Sequence, residues 1–207
     1  MNVFSAVIGF FLFVPFSYGQ LTVKPTASRQ DSYLYVDGAL LFVNQNVNLQ
    51  KNADASPTEA SMYLRKEAQL IQGESGAGPN TGNGSISIFQ EGTSNAFDYN
   101  YWSSPVSNGV NGNGEFGIKL LYSPTGPATS IPATITSSLE GISNPLTISE
   151  RWIYTFSGTR YSDWKPVFAE ISIPAGIGFS MKGVNGKDLT LVDGKPNNPG
   201  NSQRYDF

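Results

Sequence analysis

Phe97-Asp98-Tyr99-Asn100-Tyr101-Trp102-Ser103-Ser104-Pro105-Val106 is the stretch on which the reading of the fold turns. In a strand, successive side chains point to opposite faces, so Phe97, Tyr99 and Tyr101 share one face while Asp98, Asn100 and Trp102 share the other. Pro105 ends the run and pushes Ser104 to an extended conformation. Aromatic residues at this density and alternation are the signature of a strand. The alternation places Tyr99 and Tyr101 in a core and Trp102 on the face opposite.

Working outward, the same pattern recurs in short pieces along the chain. Candidate strands are Tyr33–Val36, Leu40–Val43, Val47–Leu49, Met62–Leu64, Ala68–Ile71, Ser85–Phe89, Phe97–Trp102, Phe116–Tyr122, Trp152–Phe156, Val167–Ile173, Gly178–Met181, Leu189–Val192 and Gln203–Phe207. Groups of Gly, Asn, Asp, Pro and Ser separate them, and Asn111-Gly112 and Asn113-Gly114 tolerate the positive φ of tight turns. Only Thr58–Glu67 and Ser137–Gly141 carry any helical pattern. The fold class is all-β.

Near the front, Tyr33-Leu34 followed by Ala39-Leu40-Leu41 is echoed by Tyr63-Leu64 followed by Ala68-Gln69-Leu70-Ile71, an offset of about 30 residues. Repeats of this kind mark β-solenoid coils, each burying its apolar face on the next; two similar hairpins in a sandwich would give the same echo over residues 28–92. Gly73–Gly84 reads as a loop, and it lacks the Gly-Lys-Ser/Thr of a phosphate-binding loop. Asn83-Gly84-Ser85 matches a glycosylation sequon. The Ser-, Thr- and Pro-rich segment Ser123–Pro145 reads as an extended edge or linker. The expected organisation is a signal peptide over 1–19, a β-solenoid-like or meander section over 20–106, and a β-sandwich-like section over 107–207 that continues beyond the chain end.

Composition narrows the function. The chain has 207 residues, 14% charged and 13% aromatic, with a net charge of −3. Disordered tails are richer in charge and poorer in aromatics, and a nucleic-acid binder would need a basic face. There is no Cys and no His. Disulfides, thiolate nucleophiles, Zn–thiolate sites, Ser-His-Asp triads and two-His metal sites are therefore impossible within this chain. What remains is carboxylate-only chemistry, Ser-Lys chemistry or no chemistry, and we expect none, with no cofactor and no metal.

Val3–Phe16 is an almost unbroken apolar run, and Ser17-Tyr18-Gly19 puts small residues at the −3 and −1 positions before Gln20. That is the form of a secretory signal peptide cleaved after Gly19. Pro15 and a run shorter than the roughly 20 residues of a membrane span argue against a retained anchor. The mature chain is expected to have no membrane span, to meet the secretion machinery during export, and to reside outside the cell or on its surface.

Downstream of YNYWSSPV (Tyr99–Val106) come Arg151-Trp152-Ile153-Tyr154, Tyr161-Ser162-Asp163-Trp164, GIGFSMKG (Gly176–Gly183) and Gly194-Lys195-Pro196-Asn197-Asn198. This order resembles the N-terminal region of large secreted, cell-surface proteins of Bacteroidota that use type IX secretion and carry adhesin-like repeats. The resemblance runs from about Tyr33 to the end of the sequence. It implies an extracellular or cell-surface, non-catalytic role in adhesion or assembly.

Sugar rings stack on exposed Trp and Tyr faces, and neighbouring Asp or Asn groups bond their hydroxyls. Trp102 beside Asp98 and Asn100 fits such a site, as do Tyr161, Asp163 and Trp164, which lie in a turn-like stretch before Pro166. The competing reading is that these aromatics fill the core of a fold short of Leu. A glycan or a surface protein is the expected partner, and a carbohydrate-binding module attached to a glycan-degrading enzyme is the alternative. Glu115, Glu140, Glu150, Asp163 and Glu170 could supply the carboxylate pair of a glycosidase, spaced about 5–10 Å, but none sits in a distinctive motif. Without an Asp-x-Asp-x-Asp loop, calcium is not expected, and Lys182 reads as a strand-end charge.

Overall fold

The structure is a computed structural model that describes residues 20–53, 60–73, 80–92, 95–104, 115–174, 176–192, 194–197 and 203–207. The expected signal peptide, Pro105-Val106 and the Asn111–Gly114 turn lie outside the described residues. The chain is all-β, with 3-10 turns and no α-helix among the described residues.

The front of the chain forms seven strands: β1 (Leu21–Val23), β2 (Leu34–Asp37), β3 (Leu40–Val43), β4 (Val47–Leu49), β5 (Met62–Arg65), β6 (Gln69–Gln72) and β7 (Ile86–Gly92). All the pairings among them are parallel: β2 with β5, β5 with β7, β3 with β6, and β1 with β4. Thr81 extends the last pair as a parallel bridge to Asn48. Strands that recur in parallel register on three faces define a solenoid, so the solenoid alternative holds over the meander. The register corrects the echo in detail. Tyr35, not Tyr33, lies opposite Tyr63, a slip of two residues that leaves every side chain on its expected face.

Val36, Val43, Val47, Leu49, Met62, Leu64 and Ala68 fill the solenoid interior. Gly82 lets the second coil close against the first: its φ is +97°, and a Cβ there would stand 1.8 Å from the Leu49 carbonyl oxygen. The described part of the Gly-rich segment is thus a coil wall as well as a loop.

The rest of the chain contributes β8 (Tyr99–Ser103), β9 (Glu115–Gly117), β10 (Tyr122–Gly126), β11 (Thr129–Pro132), β12 (Thr134–Thr136), β13 (Ile142–Ser143), β14 (Leu146–Ser149), β15 (Ile153–Phe156), β16 (Trp164–Pro166), β17 (Ser172–Pro174), β18 (Gly178–Lys182), β19 (Leu191–Val192), β20 (Lys195–Pro196) and β21 (Gln203–Asp206). The expected strand Phe116–Tyr122 is broken by a 3-10 turn at Ile118–Leu120. Of the expected strand Val167–Ile173, residues 167–171 form the bend after β16 and Ser172 and Ile173 belong to β17. Ser123–Pro145, read as an edge or linker, is mostly strand, with β11 at a sheet edge. A sandwich-like core gathers Phe116, Ile118, Leu121, Ile148, Ile153, Phe179 and Met181 with Trp102, Tyr205 and Phe207.

One sheet links the two sections, in the order β11-β10-β21-β7-β5-β2. Strand β21 lies antiparallel to β7 over Gln203–Asp206 and touches β10 at Tyr122. It covers the edge that the last coil would otherwise leave open. Strand β8 pairs with β18, so the change of partner falls between β7 and β8, ahead of the 106/107 boundary expected from the sequence.

A buried polar network fastens this junction. Asp206 accepts hydrogen bonds from the hydroxyls of Ser87 on β7 and Ser130 on β11, both 2.6 Å. Arg65 on β5 is buried; its Nη2 donates to Ser87 Oγ at 2.8 Å, its Nη1 to the carbonyls of Leu64 and Ser87, and its Nε to the Pro127 carbonyl at 2.7 Å. Its guanidinium carbon lies 3.3 Å from the centre of the Phe89 ring, a desolvated cation–π contact. Burial pushes the Asp206 carboxyl above the usual range, against the opposing pull of the two serines and Arg65.

A raised folded pKa means that this group stabilises the protein fully below the unfolded carboxylate value, about 4. That contribution is lost as pH rises through the folded value. Asp206→Ala should destabilise the protein by about 2–4 kcal/mol, because it leaves two buried hydroxyls without an acceptor. Asp206→Asn can keep one acceptor and donate to the other serine, and its melting temperature should gain on wild type as pH rises from about 4 to 7. Thermal melts across that range check both, and an Asp206→Ala variant that melts like wild type would contradict the network.

Candidate ligand-binding face

Strands β16, β15, β18 and β8 form a four-stranded antiparallel sheet in that order. The register places Tyr101, Ser180, Tyr154 and Pro166 in one row across it, with Phe156 opposite Trp164 and Tyr99 opposite Lys182. Phe179 and Met181 belong to the core, so the residues alternating with them face outward. The outward positions are therefore Tyr99, Tyr101 and Ser103 on β8, Gly178, Ser180 and Lys182 on β18, Tyr154 and Phe156 on β15, and Trp164 and Pro166 on β16.

This inverts the sequence reading of β8. Trp102 is 6% exposed and Tyr101 77%; the alternation is as expected, but the core is on the other side. The reason lies in the partners. Trp102 stands opposite Phe179 and packs on Tyr205 and Phe207, with ring centroids 5.3 and 5.8 Å away. These partners, all distant in sequence, form the pocket that takes the indole and so decide which side of β8 is inside. Tyr99 and Tyr101 are not core residues.

The other candidates separate cleanly. Asn100 lies opposite Met181 on the inward face beside Gly92. Asp98 is exposed in the turn before β8, and its carbonyl accepts the Gly183 N–H at 3.1 Å. Tyr161 is 92% exposed, in the 3-10 turn Tyr161–Asp163 that leads into β16. Trp164 packs on Phe156 with centroids 4.9 Å apart. Asp163 is occupied in shaping the loop. Its Oδ2 accepts the N–H groups of Thr159 and Arg160, both at 2.8 Å, and these donors hold its carboxyl below the usual range. Gly158 permits that approach, since a Cβ there would lie 2.0 Å from the same oxygen. Of the six candidates, Tyr161 and Trp164 border the outer face, while Trp102, Asn100, Asp98 and Asp163 do not present themselves on it.

Tyr99, Tyr101, Tyr154 and Phe156 complete the face, and sequence reasoning did not place them there. Tyr99 is 39% exposed; partial burial, then the neighbouring Tyr154 and Tyr161, raise its phenol above the ordinary value. Ser180, between Tyr101 and Tyr154, is buried. Lys182 is the only ion among the outward strand positions. Its Nζ bonds both oxygens of Glu140, at 3.0 and 3.2 Å, and lies 5.1 Å from the centre of the Trp152 ring.

Two further acids are engaged in bonds; the side chain of Glu115 lies outside the described residues. Glu150 accepts the Ala169 N–H at 2.9 Å, and Glu170 pairs with Lys119. A cavity of about 1230 Å³ opens between the last solenoid coil and β8, lined by Leu64, Leu70, Ile86, Ile88, Tyr101 and Trp102. Comparison of the chain with protein-family models, with curated proteins and with solved structures gives no match.

Truncation separates the two faces of β8. Trp102→Ala should cost about 3–5 kcal/mol, enough to unfold a marginal domain. Tyr101→Ala should leave the melting temperature within a few degrees of wild type. The reverse order in a thermal melt would return Tyr101 to the core.

Proposed function

We propose that this chain is a non-catalytic exported protein that works at the cell surface or outside the cell, presenting a β-rich surface for adhesion or assembly. The outer face of the β16-β15-β18-β8 sheet is the contact. One observation carries the reading: five aromatic side chains from three strands of this four-stranded sheet lie on one outward face, bordered by the exposed Tyr161. Large apolar patches on soluble proteins mark interaction sites, and Tyr and Trp dominate the energetics of contacts.

Export is supported by the apolar run Val3–Phe16 with Ser17 and Gly19 at its end, and by the resemblance to secreted surface proteins of Bacteroidota. A non-catalytic role is supported by Glu140, Glu150, Asp163 and Glu170 each being engaged in a structural bond. The same rings support the second reading, a carbohydrate-binding module joined to a glycan-degrading enzyme.

Beads coated with the purified protein should be retained under flow on biofilm matrix and on glycan- and protein-coated surfaces. The Tyr101→Ala/Tyr161→Ala double variant should release most of them. Equal retention of variant and wild type would show that this face is not the contact.

A further inference from the structure

We infer that the outer face binds a neutral, β-linked polysaccharide laid across the strands from Tyr101 towards Trp164, an inference that rests on reading this face as the contact surface. Three features identify the ligand class: the kind of apolar surface, its charge, and the spacing of its rings.

The face is aromatic without being aliphatic. None of its outward strand positions is Leu, Ile, Val or Met. The axial C–H groups of a pyranose lie flat on an aromatic ring, whereas an aliphatic side chain offers no such plane. The chain has another exposed apolar patch, Leu40, Phe42 and Ile71 on the outer side of β3 and β6, where aliphatic side chains flank a single ring. Tyr99, Tyr101 and Tyr161 add phenol hydroxyls that can donate to and accept from sugar hydroxyls.

The face is also electrically quiet. Lys182, its one outward ion, is neutralised by Glu140, and Asp163 beside it is spoken for by two amide N–H groups. A uronate, sulfated or phosphorylated polymer would find no unpaired cation among the outward strand positions; the exposed Arg160 and Lys165 lie at the β16 edge beside Asp163. An uncharged chain has no desolvated charge to leave unpaired.

The spacing fits the repeat of the polymer. Neighbouring strands lie about 4.8 Å apart, so Tyr101 on β8 and Tyr154 on β15, separated by β18, stand about 10 Å from each other. That is the length of a disaccharide in an extended β-linked chain, whose alternate rings turn the same face towards a flat surface. Pro166 continues this row on β16, and the Phe156–Trp164 pair lies two residues further along the same two strands, beside it. Ser180, the residue between Tyr101 and Tyr154, is small and buried and adds no bulk to the path.

The test is a binding panel of cellulose, chitin, xylan, laminarin and mannan, with alginate and heparin as charged controls. Wild type should bind at least one neutral polymer and neither charged one. Tyr101→Ala should weaken that binding about tenfold, the loss of one stacking contact, while Tyr101→Phe keeps most of it and neither shifts the melting temperature. Binding only to the charged polymers, or neutral binding indifferent to Tyr101→Ala, overturns the inference. No neutral binding, with bead adhesion still lost in the Tyr101→Ala/Tyr161→Ala variant, overturns the glycan and leaves the face as a contact for a protein partner. If bead adhesion is also indifferent to that variant, the functional reading of the face fails as well.

Discussion

The carboxylate of Asp206 holds the two halves of this protein to each other. It accepts from Ser87 on the last solenoid coil and from Ser130 on the β10–β11 hairpin, while Arg65 from the preceding coil bonds Ser87 and reaches Pro127 in that hairpin's turn. Four segments far apart in sequence thus share one desolvated cluster. A buried charge of this kind is costly to expose to a broken network and weak as a net source of stability. Its value is geometric, because few alternative pairings of β21 would satisfy both charges and both hydroxyls.

The same strand works on both of its faces. Arg204 and Asp206 point to the polar side, where Arg204 also meets Glu91 at 3.3 Å. Tyr205 points to the other, edge-on to Trp102. Fixing β21 therefore fixes Trp102, and Trp102 in the core obliges its neighbours Tyr99 and Tyr101 to face outward. The aromatic face is in this sense a consequence of the junction: the polar cluster sets the strand, the strand seats the indole, and the indole turns the tyrosines to solvent.

The class of the fold was legible because strand pattern is local. Leu40–Val43 and Val47–Leu49 are strands at the boundaries their residues mark, and the solenoid echo survives a two-residue slip in register. What was not legible depends on partners distant in sequence. The alternation in Phe97–Trp102 carries a period but no sign; only Phe179, Tyr205 and Phe207 decide which side is inside. Ile118–Leu120 breaks a stretch that reads as one strand, and nothing in its composition marks the 3-10 turn. At the candidate site, Tyr161 and Trp164 stood out because a turn and Pro166 flank them. The signal for Tyr154 and Phe156 was present in the alternation of Ile153–Phe156, yet it needed β18 as neighbour to acquire meaning.

If β21 and its carboxylate join solenoid and sandwich into one cooperative unit, native-state hydrogen exchange reports it directly. The amides of Ser87–Glu91 on the solenoid side and of Ser123–Ile131 on the other should open with a common free energy. Asp206→Ala should lower both by the same amount. Protection that falls on one side only, leaving the other as in wild type, would contradict the account.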